Sequence, residues 1–147
     1  MKNAQKRIDT ILLLVRTSTA FSTPDVQSAV VDELQEIARS AKVMPLKRRR
    51  LLAVLHLARG LETSLRSVVD SNGIVLTHDK RNMGGYLNAL VSNNPPLLNN
   101  TIKHTCIRDV TKVRNRIAHS AGGYPKDDQV VDAAAQAAYS CLSMLVR

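Results

Sequence analysis

The sequence predicts an all-α protein, a compact bundle of five to six helices. Three observations carry that prediction. Apolar residues recur at spacings of three and four through most of the chain, the period of a helix with one buried face. The periodic stretches stop at Pro, Gly and Asn clusters. The one apolar run that could be extended, Ile74-Val75-Leu76, has no evident partner strand. Aromatic residues are 3% of the 147, with no Trp and one Phe, so Leu, Val, Ile and Ala must build the core.

The first helix is expected over residues 3–21, with Ile8, Ile11, Leu12 and Val15 inward. Ser22-Thr23-Pro24-Asp25 starts the next: Thr23 can cap and Pro24 fits the first helical position. That helix should run to about residue 42, with Val26, Val30, Leu34, Ile37 and Ala41 on one side and a solvated acidic face of Asp32, Glu33 and Glu36. Met44-Pro45 breaks the chain, and a long amphipathic helix follows to about Asp70. Ser71-Asn72-Gly73 ends it. A fourth helix should cover 79–92, stopped by Asn93-Asn94-Pro95-Pro96. The fifth should run from Leu98 or Thr101 to His119, and the last from Lys126 to Arg147, with small residues (Ala133, Ala134, Ala137, Ala138) along one side. Residues 1–43 read as an N-terminal helical hairpin of the same globule, and 44–147 as its helical core.

Charge narrows the partner class. Lys plus Arg exceed Asp plus Glu by 21 − 12 = 9, spread over both halves of the chain. Such an excess favours nucleic acid or another polyanion and specifies no activity. Ile11 to Val15 is too short an apolar run to cross a bilayer. Cys106 and Cys141 form no CxxC or zinc pattern and fit buried reduced thiols, hence a cytoplasmic setting. No metal-ligand cluster and no cofactor motif is visible.

The informative segment is Arg114-Asn115-Arg116-Ile117-Ala118-His119, before Ser120-Ala121-Gly122-Gly123. Arginine offers a permanent forked charge that matches phosphate oxygens. Histidine can take or give a proton near neutral pH. On a helical wheel Ile102, Cys106, Val110, Val113 and Ile117 share a buried arc, while Arg108, Lys112, Asn115 and His119 form a cationic ridge roughly opposite. Arg114 stands about 140° from His119 on an ideal helix. One straight helix therefore cannot bring both to one phosphate. The helix must unwind near Ala118, or two copies must face each other; the reading favours a twofold dimer.

Arg114-Asn115-x-x-x-His119 resembles the Arg-x4–6-His signature of HEPN domains, small helical bundles of RNA-processing and defence proteins, whose preferred form has a polar residue such as Asn after the Arg. The resemblance covers about residues 45–147 as a helix pattern and is specific only at these few positions. It implies a metal-independent endoribonuclease, often a toxin or antiviral effector, acting as a homodimer with a composite site. His119 would be general acid or base and Arg114 the phosphate ligand, with Asn115 and Arg116 in support. The product would be a 2′,3′-cyclic phosphate. Some HEPN toxins carry a Tyr two residues after the His, where this chain has Ala121.

Lys47-Arg48-Arg49-Arg50 is the densest basic run and a candidate RNA contact, with Arg108, Lys112 and the nearby Tyr124. His56, within an apolar stretch, reads as a packed core or interface histidine. Two other functions fit the same residues: a non-catalytic RNA- or nucleotide-binding module, and a protein-interaction domain with an antitoxin or regulatory partner.

Overall fold

The computed structural model describes residues 1–146. Helix α1 (Lys2–Thr17) is followed by α2 (Pro24–Arg39), the long α3 (Leu46–Ser71) and a single 3₁₀ turn (His78–Lys80). Then come α4 (Met83–Ser92), α5 (Asn100–Cys106), a π-helical turn (Ile107–Thr111), α6 (Lys112–Ala118) and α7 (Asp128–Leu145). Because α5, the π turn and α6 run on without a break, six rods form the bundle. There is no strand among the described residues, and 74–76 is an irregular connection with Val75 exposed.

One core joins all the rods, α1 and α2 included. It is aliphatic, with Met83 and Tyr86 the largest exceptions to Leu, Ile, Val and Ala. Helix α2 lies antiparallel on α3, as the Ser22–Ser67 and Glu33–His56 hydrogen bonds fix its direction. Gly60 lets Leu34 close in: a Cβ there would sit 3.0 Å from the leucine side chain. Helix α1 runs parallel to α7. The Met1 amine is 2.8 Å from Asp128, the Ala4 N–H donates to Asp132 at 3.0 Å, and Arg7 lies 5.0 Å from the Tyr139 ring centroid. Asp132 thereby caps α1, whose own N-cap residue offers no side-chain acceptor. The alanine side of α7 (Ala134, Ala137, Ala138) is fully buried, which permits that close pairing.

The first helix stops at Thr17, short of the expected residue 21. Gln27 reaches back and donates to the carbonyls of Val15 (2.6 Å) and Ser18 (3.0 Å), satisfying acceptors that a longer helix would have used itself. Helix α4 begins at Met83 and not at 79, because the Asn82 side chain accepts from the Gly85 N–H at 2.9 Å. The acidic face of α2 is not simply solvated. Glu33 is half-buried, 2.9 Å from His56 Nδ1 and 3.2 Å from Arg59 Nε.

The π turn has a cause visible in the apolar spacing. Ile102 to Ile117 spans 15 residues, which at 100° each overshoots four turns by about 60°. A π turn takes more residues per turn and absorbs that surplus. Cys106, Val110, Val113 and Ile117 all stay buried as a result.

Candidate functional site

Helix α6 carries the Arg-Asn-x-x-x-His segment. Val113 and Ile117 face the core, so the residues beside them fall on the flanks. Arg114 is half-buried, and its Nη1 lies 3.7 Å from Glu62 Oε2 on α3. Its Nε is fully covered and meets no acceptor among the described residues. The aliphatic stem of Arg114 is thus packed while the fork reaches a carboxylate at the edge. Asn115 and Arg116 are exposed.

The helix ends at Ala118. His119 has left helical geometry (φ −105°, ψ 1°), its N–H still donates to the Asn115 carbonyl at 3.2 Å, and its side chain is exposed. The following turn is tight. Gly122 takes φ +77°, and the Gly123 N–H donates to the Ser120 carbonyl at 2.9 Å. A Cβ on Gly123 would meet the Ser120 and Arg116 carbonyl oxygens at 2.9 and 3.1 Å, so the loop folds directly back on the helix end.

That loop is tied to the start of α3. The Lys47 ammonium sits 4.8 Å from the Tyr124 ring centroid, and Arg50 Nε is 2.8 Å from Asp128. Helix α3 starts at Leu46 behind Pro45, which offers no side-chain cap, and has cations in its first turn, an unfavourable combination. The Asp128 carboxylate offsets it. The Met1 amine first, and then Arg50, hold the Asp128 carboxyl below the usual carboxylate range.

The structure divides the basic run. Lys47 stacks on Tyr124, Arg50 turns to Asp128, and half-buried Arg49 donates to the Val43 carbonyl at 3.3 Å. Arg48 is exposed and has no carboxylate partner among the described residues. Arg108 lies on the π turn and pairs with Asp109 at 2.8 Å, which raises its already high pKa. Lys112 is exposed. So Lys47 and Tyr124 come together, Arg114 and His119 share one helix end, and Arg49, Arg50 and Arg108 are engaged elsewhere.

Two residues at the site escaped sequence reasoning: Glu62 and Asp128. Both lie far in sequence from their partners. Asp128 reads from sequence only as a favourable helix-start acid. Among the described residues, no three His, Cys, Asp or Glu side chains gather so as to hold a metal ion. No helix there is long and apolar enough to cross a membrane. His104 is exposed on α5, and clefts of about 500 and 760 Å³ on α4 and between α1 and α7 include no motif residue. No family model, curated protein or solved structure matches this chain.

Proposed function

We propose that this protein is a metal-independent endoribonuclease of the HEPN type, working as a homodimer and acting as a toxin or antiviral defence effector. The supporting observation is the division of labour at the end of α6. The guanidinium of Arg114 is tethered by Glu62, and the imidazole of His119 stands free in solvent just past the helix.

The chemistry follows from those groups. One His119 takes the proton of the substrate's 2′-OH, whose oxygen attacks the adjacent phosphorus. The P–O5′ bond breaks, and His119 of a second copy gives a proton to the leaving 5′-oxygen. The products are a 2′,3′-cyclic phosphate and a 5′-hydroxyl. Arg114 stabilises the charge that builds on the non-bridging oxygens. A second copy supplies the second His119, so that one ring acts as base and the other as acid.

The test is cleavage of RNA in EDTA. Arg114→Ala should cost roughly 10²–10³ in rate and His119→Ala roughly 10²–10⁴, with helicity and the light-scattering mass of a dimer unchanged. Equal cutting by wild type and His119→Ala would defeat the proposal, as would a strict monomer. Growth arrest on expression of wild type but not His119→Ala would support the effector role. The Glu62 pairing also favours a second reading, a non-catalytic RNA- or nucleotide-binding or protein-interaction module, because it partly neutralises Arg114. That reading predicts salt-sensitive RNA affinity with no cyclic phosphate product.

A further inference from the structure

The open face of α3 carries a cationic line that continues from the basic run at its start. Arg48, Arg59 and Arg66 are separated by 11 and 7 residues, so on a helix they fall within about 20° of one another. All three are exposed; the Arg59 side chain is 69% accessible. Arg48 and Arg66 have no carboxylate partner among the described residues, and only Arg59 is partly offset, by Glu33 at 3.2 Å. From Arg48 to Arg66 the line is about 27 Å long at 1.5 Å per residue. Glu62 lies near the same line, and its charge is drawn to Arg114.

The line also passes the motif. Arg114 meets α3 at Glu62, and Tyr124 meets it at Lys47. The chain between those anchors, which carries His119, therefore runs back along α3 from one end of the line towards the other. A polyanion lying on the line would thus share α3 with the chain that carries His119. Leu52 and Leu55, half-buried on the same face between Arg48 and Arg59, add apolar surface for sugars or bases.

We infer that Arg48, Arg59 and Arg66 bind the phosphate backbone of single-chain RNA and deliver it to the α6 end. This rests on the RNA-directed reading above. Guanidiniums suit the role because each can fork onto phosphate oxygens, and an exposed row of them along one rod matches a chain of regularly placed negative charges better than a compact ligand.

The test uses the whole wild-type protein and a fully 2′-O-methylated oligoribonucleotide, which lacks the attacking hydroxyl and so cannot be cut. Affinity is followed by fluorescence anisotropy against salt concentration. Each lost phosphate contact should flatten the slope of log K against log salt by about 0.7. Arg59→Ala with Arg66→Ala should therefore flatten it by about 1.4 and weaken binding at least severalfold. Arg66→Lys should keep the slope, and Arg16→Ala on α1 should change nothing. An unchanged slope in the double variant overturns the inference. So does an equal loss from Arg16→Ala, which would mean diffuse charge, or no affinity of the wild type for the oligonucleotide. If the slope behaves as expected but unmodified RNA is never cleaved, the nuclease reading fails and the binding line stands.

Discussion

Glu62 Oε2 lies 3.7 Å from Arg114 Nη1, and this contact between α3 and α6 is what gives the motif arginine a fixed direction. The distance is long for an ion pair and both side chains are near one-third exposed, so its contribution to stability is small, at most about 1 kcal/mol. Its value lies in aim.

Glu62→Gln should therefore leave the melting temperature within a few degrees of wild type but lower kcat for RNA cleavage roughly tenfold, equivalent to about 1.4 kcal/mol in the barrier. KM should not rise, since a negative charge near the substrate has been removed. A loss expressed wholly in KM would show that Glu62 does not position Arg114.

The glycines after His119 should differ in sensitivity. Gly122→Ala meets no neighbour and costs only the left-handed backbone, about 1–2 kcal/mol. Gly123→Ala drives a methyl into backbone at 2.9–3.2 Å that cannot swing aside. Urea unfolding should rank it as the more damaging of the two, by about 1–3 kcal/mol against wild type. It should also reduce cleavage, because the turn bearing His119 must shift.

Asp128 makes stability depend on pH in a defined direction. Its carboxyl titrates lower in the folded chain than in the unfolded one, owing to the Met1 amine and then Arg50. The contribution is complete above roughly pH 4, the unfolded carboxylate range, and is lost as the pH falls through the lower folded value. Asp128→Asn should thus be less stable than wild type at neutral pH by up to about 1 kcal/mol, discounted for exposure. The difference should shrink in acid. A gap that widens below pH 4 would contradict the assignment.

Cys106 and Cys141 are fully buried, and Cys106 Sγ lies 3.6 Å from the Ala137 carbonyl, one turn from Cys141. A hydrogen bond with Cys106, and then burial, push the Cys141 thiol well up. Neither should react with iodoacetamide in the folded protein, while both should react in denaturant. Mass spectrometry of native alkylation reads this directly, and rapid labelling without unfolding would show that the α5–α7 contact opens.

Much of this architecture was legible in the sequence because the signals are local. Thr23-Pro24 starts α2, Gly73 at φ +67° follows the end of α3, and the alanine side of α7 is where close packing was expected. The motif's position at a helix end was legible for the same reason. Its surroundings were not. Glu33 reads as a solvated acid on the α2 wheel alone, and only the antiparallel approach of α3 supplies His56 and Arg59. The run Lys47 to Arg50 reads as one patch until Asp128 and Tyr124, from the far side of the chain, divide it.

The π turn preserves the motif's heading. Residues before it are clocked against α7 through Cys106, and residues after it against α3 through Arg114. Removing one residue from 107–111 would let an ordinary α-helical turn replace the π turn; the 14 steps then left between Ile102 and Ile117 fall only about 40° short of four turns, so Ile117 would stay inward and the guanidinium beside Glu62. A surplus of one amino acid is thus taken up inside 107–111, so losing one residue there would straighten the rod and leave the reactive end pointing where it does.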